Sequence, residues 1–297
     1  NTNTKIHGID WNNDSHNQVV EDLLFRDSKS WMLHVKRSKD VYFNNLKIFS
    51  GKDGVDPDGV TNMKVENSTI VSIDDGFAVK SKREGYDTRN VIIRDNIVMS
   101  AASNLKIGTE NYFGVIENVT FDNIKVLNGD RGAILYTNEQ GTANVRNVTW
   151  QNIHIENFAW DNRGEGSPFQ LLHATGDKRD YKMENINFKN IQAWPKSDGV
   201  IIEPVSATFN NIIVHGDSNM PYSNNVDYKG VLWNNVEGEN IPVIFIKPSP
   251  RAHSRYIEGD VVKFNIRHPN GLKIDTVKLF LDNNLIGKDN KRPFSVK

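Results

Sequence analysis

A chain of 297 residues with no cysteine excludes a disulfide scaffold, a thiolate metal centre and a cysteine nucleophile. Its 36 basic and 37 acidic side chains nearly cancel to a net charge of −1, so no global field draws it to nucleic acid or to an anionic membrane. Hydrophobic residues make up 37% and charged residues 25%, which suits a packed domain with a polar surface, and no apolar run reaches membrane-spanning length.

Taken in chain order, one short pattern returns again and again: (N/D)-V-x-(F/I)-x-(N/D)-x-x-(I/V). A weak copy stands at 18–26 ("QVVEDLLFR"). Clear copies follow at 40–48 ("DVYFNNLKI"), 62–70 ("NMKVENSTI") and 90–98 ("NVIIRDNIV"). Three more lie at 118–126 ("NVTFDNIKV"), 147–155 ("NVTWQNIHI") and 185–193 ("NINFKNIQA"), with a weak one at 207–214 ("ATFNNIIV"). The anchors Val41, Met63, Val91, Val119, Val148 and Ile186 are separated by 22, 28, 28, 29 and 38 residues. Each copy alternates apolar and polar positions and is rich in β-branched residues, so each predicts a short strand, with Gly, Asp and Asn punctuating the gaps.

No stretch sustains helical spacing. A propeller blade would need four strands in a longer unit, whereas about 22–29 residues fit one coil of a solenoid. Stacked coils pair each strand with its equivalents above and below and bury Val, Ile, Leu and Phe as internal columns. The recurring Asn reads as a turn residue that ladders along the stack, and loops of variable length on one side are where function is expected. The fold class predicted for residues 1–240 is all-β, a right-handed parallel β-helix. Because the chain opens at Asn1 without a signal-peptide pattern, it is expected to be a mature or excised piece of an exported protein that lacks N-terminal coils.

The texture changes after about residue 236. "DVVKFNI", "DTVKLFLDNNLIG" and "PFSVK" read as antiparallel strands joined by turns such as "HPNG", and "KPSPRAHS" reads as a linker. Residues 241–297 resemble a partial bacterial immunoglobulin-like β-sandwich module of the kind appended to secreted carbohydrate-active enzymes.

One strand carries an anomaly. "VSIDDGFAVKSK" (71–82) sets Asp74 beside Asp75 inside an apolar run, and "GKDGVDPDG" (51–59) one coil earlier carries Asp53, Asp56 and Asp58. Residues 53 and 75 differ by 22, about one coil, so Asp53 stacks against the pair at roughly 4.8 Å strand spacing. Crowded carboxylates raise one another's pKa. Such a cluster makes sense where one carboxyl stays protonated as a general acid while ionised neighbours activate water, which is what glycoside hydrolysis requires.

The segment from Val19 to Ile155 resembles the polygalacturonase-type family of β-helical glycoside hydrolases. Its "S-P-F-W-x-L-H" step is echoed by "SKSWMLHV" (28–35), "N-T-D-G-I-D" by "GKDGVD" (51–56), "G-D-D-C-I-A-I-K-S" by "IDDGFAVKS" (73–81) and "S-I-G-S" by "KIGTE" (106–110). The resemblance implies Asp74 as general acid, with Asp53 and Asp75 holding the nucleophilic water. It also implies inversion at the anomeric centre, with acid and base carboxyls roughly 6.5–9.5 Å apart.

Two departures bear on the substrate. Ser103 stands where the family has His, and Ile134 and Tyr136 stand where its "R-I-K" places a uronate-binding Arg and Lys. Arg is the preferred carboxylate partner because its planar fork binds in bidentate fashion. Losing that pair points to a neutral α-glucan of dextran or α-1,3-glucan type, with Tyr136 offering a stacking face. The alternative is a polygalacturonase-type pectin hydrolase. A calcium-dependent lyase and a non-catalytic β-helical adhesin compete from other classes, and the lyase lacks its basic cluster.

Lys80, Ser103, Lys106, Glu110, Tyr136 and Trp160 complete the expected substrate-binding set. Trp31 is a further candidate platform, and Trp150 reads as core. "DGVDPDG" fails the EF-hand pattern because Lys64 occupies the twelfth place. His7, His16, His34, His154 and His173 show no metal-ligand spacing, so no metal and no cofactor are expected. The partner expected is a polysaccharide met by an extracellular monomer, with no nucleic acid and no membrane.

Overall fold

Each clear copy of the repeat forms a strand, and successive copies pair in parallel, one coil upon the next. The computed structural model describes residues 7–11, 14–137, 142–157, 167–173, 182–195, 200–201, 207–215, 231–239, 245–247, 265–267, 277–281 and 284–289. Among these there are 25 strands and no helix. The chain divides into two compact units, Asn1–Glu239 and Asn240–Lys297.

In the first unit one wall is an eight-stranded parallel sheet. It runs β1 (Ile9–Trp11), β4 (Leu33–Lys36), β7 (Val55–Asp58), β10 (Phe77–Ser81), β13 (Ser103–Asn111), β15 (Arg131–Thr137), β17 (Ser167–His173) and β19 (Val200–Ile201). A second stack holds β2 (His16–Glu21), β5 (Lys39–Asn44), β8 (Thr61–Glu66) and β11 (Thr88–Arg94). The third holds β3 (Leu24–Ser28), β6 (Lys47–Ser50), β9 (Thr69–Ser72) and β12 (Ile97–Ser100). Both end on β14 (Val115–Asn128), which pairs with β11 and with β12. From there the long strands β16 (Asn144–Asn157), β18 (Met183–Pro195), β20 (Ala207–His215) and β21 (Val231–Glu239) continue both stacks at once. The architecture is a parallel β-helix, as the repeat predicts.

Apolar positions that alternate along the strands meet in columns inside the coils. One column reads Phe43, Val65, Ile93, Phe121, Trp150, Phe188 and Phe209 in successive register, every member buried. Its rings stack face to face: Phe121 on Trp150 at 5.5 Å, Trp150 on Phe188 at 4.9 Å and Phe188 on Phe209 at 4.5 Å, with interplanar angles of 6°, 5° and 9°. A parallel in-register stack imposes this offset pairing, which adds to area burial. The Trp150 indole N–H donates to the Leu105 carbonyl at 3.2 Å, so the buried ring leaves no unmet donor. Trp150 is thus a coil-stacked core residue.

The Asn ladder is also present. Asn62 donates to Asp40, Asn90 to Asn62, Asn118 to Asn90, Asn147 to Asn118 and Asn185 to Asn147, at 2.8–3.1 Å. All six have φ between 53° and 59°, the left-handed region that Asn and Asp tolerate better than other non-Gly residues. The repeat therefore needs Asn twice over, for a turn conformation and for a side-chain amide that bonds the coil below.

In the second unit β22 (Phe245–Lys247) pairs antiparallel with β23 (Asn265–Arg267), and β24 (Val277–Leu281) with β25 (Asn284–Asp289). The immunoglobulin-like reading and the linker rest mainly on residues outside those described.

Candidate active site

The eight-stranded wall carries the acidic cluster just before its strands begin. Leu33, Val55, Phe77, Leu105 and Ala133 are register partners. Two residues upstream of each stand Trp31, Asp53, Asp75, Ser103 and Arg131, so Asp53 and Asp75 occupy one column on adjacent coils. The Asp75 N–H points at Asp53 Oδ1, 3.4 Å away. Asp74, one place earlier at the bend, lies at the level of Lys52. Gly54 and Gly76 follow the two stacked carboxylates for a steric reason. A Cβ at Gly54 would sit 2.6 Å from the Gly76 carbonyl, and one at Gly76 2.8 Å from the Asn104 carbonyl.

An oxygen from each of Asp53, Asp74 and Asp75 lies within 4.8 Å of the others. Coil stacking brings Asp53 level with the Asp74–Asp75 pair, because adjacent strands of the wall lie about 4.8 Å apart. Asp53 and Asp75 are buried, whereas the Asp74 side chain is 42% exposed.

The lysines set the three carboxyls apart. Lys106 Nζ is 2.7 Å from Asp75 Oδ2, and the Ser103 N–H donates to Asp75 Oδ1 at 3.1 Å. Burial alone would push the Asp75 carboxyl up, but the ammonium of Lys106, with Lys80 and the Ser103 N–H, outweighs it and holds the group below the usual carboxylate range. Asp74 moves the other way, because burial and the charges of Asp75 and Asp53 raise it, against weaker pulls from Lys52 and Lys106. One group is thereby biased to keep its proton and its neighbour to lose it, the division that acid–base catalysis requires.

Lys80 anchors the rest. Its Nζ lies 3.1 Å from Asp53 Oδ2, 2.5 Å from Asp56 Oδ1 and 3.4 Å from Glu110 Oε2, and 3.9 Å from the centre of the Trp31 ring. Burial opposes its charge, yet Asp56, Asp53 and Glu110 raise its pKa well above the usual lysine value. Asp56, fully buried, is pushed well above the carboxylate range by burial and by Asp53.

Lys80, Lys106 and Glu110 therefore reach the wall that the sequence predicts, but Lys80 and Lys106 do so as buried partners of the carboxylates. Ser103 is buried and its Oγ accepts from Arg131 Nη1 at 3.3 Å. Ile134 is buried in register with Lys106, and Tyr136, partly exposed, is in register with Gly108. The face of Trp31 is met by Lys80 and, at 4.6 Å, by Lys82, which occupies the surface a sugar ring would stack on. Trp160 lies outside the described residues. Sequence reasoning left Asp56 out of the site. The signal was Lys80, a cation at an alternating strand position with no acidic residue on its own strand to neutralise it.

Fold and site define a β-helical protein with a carboxylate cluster on one outer wall. The chain belongs to glycosyl hydrolases family 28, whose pattern matches residues 4–164. It is similar to exopolygalacturonase B of Aspergillus niger, 29% identical over 160 residues that make up 46% of this chain and 34% of that protein. It is also similar to a probable polygalacturonase of Vitis vinifera, 23% identical over 221 residues, or 66% of this chain and 44% of the other. The chain thus spans less than half the length of these relatives. A hyperthermoactive exopolygalacturonase from Thermotoga maritima has the same fold, with a TM-score of 0.54, 20% identity, and coverage of 74% of this chain and 53% of that one.

Proposed function

We propose that this chain carries the catalytic site of a glycoside hydrolase acting on a pectic, polygalacturonate-type polymer. The observation that carries it is the Asp53, Asp74 and Asp75 cluster, differentiated by Lys80 and Lys106, in a family 28 chain. Asp74, half exposed with a raised pKa, protonates the departing glycosidic oxygen. Asp53 and Asp75 hold a water between them. Hydrogen bonds of about 2.8 Å allow one water to span oxygens at this separation. A carboxylate clamped by a buried ammonium is better suited to orienting water than to forming a covalent bond, which supports inversion.

Names of relatives favour a galacturonan over the neutral α-glucan expected from Ile134 and Tyr136. Arg131, two coils along the column that holds Asp75, brings a guanidinium to Ser103 Oγ, which supports a uronate met from a different position than Ile134. The second reading, a neutral glycan, is favoured by one observation: Ile134 is buried and apolar where a uronate-binding cation is sought. An extracellular setting follows from a polymeric substrate too large to enter a cell. Reducing-end release measured across polygalacturonate, dextran, α-1,3-glucan and carrageenan tests the proposal. Polygalacturonate as the best substrate supports it, and cleavage of a glucan alone replaces it by the second reading.

A further inference from the structure

His7, Asp10 and His34 stand on the same wall, on the coils that precede the acidic cluster. Asp10 and His34 are register partners on adjacent coils, and a ring nitrogen of each histidine lies within 4.8 Å of an Asp10 oxygen and of the other. We propose that these three residues bind a divalent transition-metal ion of the zinc class.

The decisive atom is His34 Nδ1, which is wholly buried, has no hydrogen-bond partner and lies 3.2 Å from Asp10 Oδ1. On the other side of the ring, Nε2 lies 3.2 Å from Asp58 Oδ2. A neutral imidazole has one N–H. Donated to Asp58, it leaves a lone pair on Nδ1 facing a carboxylate oxygen, a repulsion that Lys36 beside that oxygen reduces and a cation held between the two atoms removes. The separation also fits, because ligands at about 2.0–2.1 Å in a tetrahedral zinc site lie roughly 3.3 Å apart.

The outer contacts agree. His7 Nδ1 is 3.2 Å from the Trp31 carbonyl, which can only accept, so its N–H is there and Nε2 keeps the ligating lone pair. Metal-bound histidines characteristically give the second ring N–H to a carbonyl or carboxylate, as both do here. Lys36 lies 2.8 Å from Asp10 Oδ1 and 2.9 Å from Oδ2. Its charge offsets the carboxylate's, which disfavours calcium and magnesium, ions held mainly by oxygen charge, and leaves selection to the imidazoles. Three protein ligands leave a fourth position for water or a substrate hydroxyl. Asp58 Oδ1 accepts the Lys82 N–H at 2.9 Å, which ties the site to the coil that carries Lys80.

The residues escape sequence inspection because ligand spacing here is set by the coil. His34 follows Asp10 by 24 residues, one turn of the solenoid, and not by the short steps of a helix or knuckle.

The test is zinc binding by the full 297-residue chain after chelator treatment, measured by calorimetry with zinc alone and by the visible bands of the cobalt-substituted protein. One ion per chain is expected, with an affinity that falls about tenfold or more in His7→Ala. That variant is at the partly exposed edge of the stack, and circular dichroism checks its folding. Asp74→Asn should bind zinc as the wild type does. Absence of stoichiometric binding, equal binding by folded His7→Ala, or loss in Asp74→Asn would each overturn the proposal. The first of these results would mean that a proton holds His34 between its two carboxylates.

Discussion

Lys106 places its ammonium 2.7 Å from the carboxylate of Asp75, from the next coil along the same wall. Both side chains are almost buried, so the pair acts with little solvent screening. Replacing Lys106 by Met breaks a buried ion pair and leaves Asp75 with only the Ser103 N–H and the more distant Lys80, a change that costs up to about 3–5 kcal/mol of stability. Asp75 then loses the charge that holds it down. Turnover should fall, and the acid limb of the pH–rate profile should move upward. Denaturant unfolding and a pH series on the same variant check both effects.

With Asp75 acting as ionised base and Asp74 as protonated acid, the roles proposed above, the two shifted carboxyls set the pH profile of the wild type. Activity needs Asp75 ionised, and its pKa is lowered, so the acid limb should lie below the ordinary carboxylate value. Activity needs Asp74 protonated, and its pKa is raised, so the alkaline limb should lie above that value. Lys52 Nζ, 3.7 Å from Asp74 Oδ2, pulls in the opposite sense. Lys52→Met should therefore move the alkaline limb further up and leave the acid limb in place. A profile of kcat/KM against pH for both proteins shows the limbs directly.

The aromatic column is a stability device remote from the chemistry. Trp150→Ala removes a ring stacked on both sides and leaves a cavity in the coil, at a cost of about 3–5 kcal/mol. In a domain of this size that corresponds to a fall in Tm on the order of 10 °C. Calorimetry measures it, and a change of one or two degrees would show that the column can close around the gap.

Stereochemistry distinguishes water attack from covalent attack. The lysine clamps on Asp53 and Asp75 argue for water. Proton NMR of early product should show the inverted anomer. Retention would assign one of these two residues as nucleophile.

Much of the fold was legible because its determinants are local and repeated. The pattern around Val41 to Ile186 fixes strand, turn and column together, and the Asn ladder is visible as a letter in a constant place. The cluster was legible for the same reason, since 22 residues between Asp53 and Asp75 is a coil. What stayed hidden depends on side-chain direction across coils. Lys80, expected among the substrate-binding residues, is only 2% exposed. Nothing in the sequence sets Asp56 apart from Asp53 and Asp58, and only its register partner His34 and its contact with Lys80 show that it is core to the charge network.

The proposed reaction depends most on Asp74 as the proton donor. The direct test is the initial rate of reducing-end release by Asp74→Asn, from the polymer that the wild-type chain cleaves best, together with binding of that polymer. Loss of a general acid typically lowers the rate by a factor of about 10² to 10⁴. The account predicts a loss in that range with binding of the polymer retained. Asp74→Asn keeping more than about a tenth of the wild-type rate, well outside that range, would contradict it.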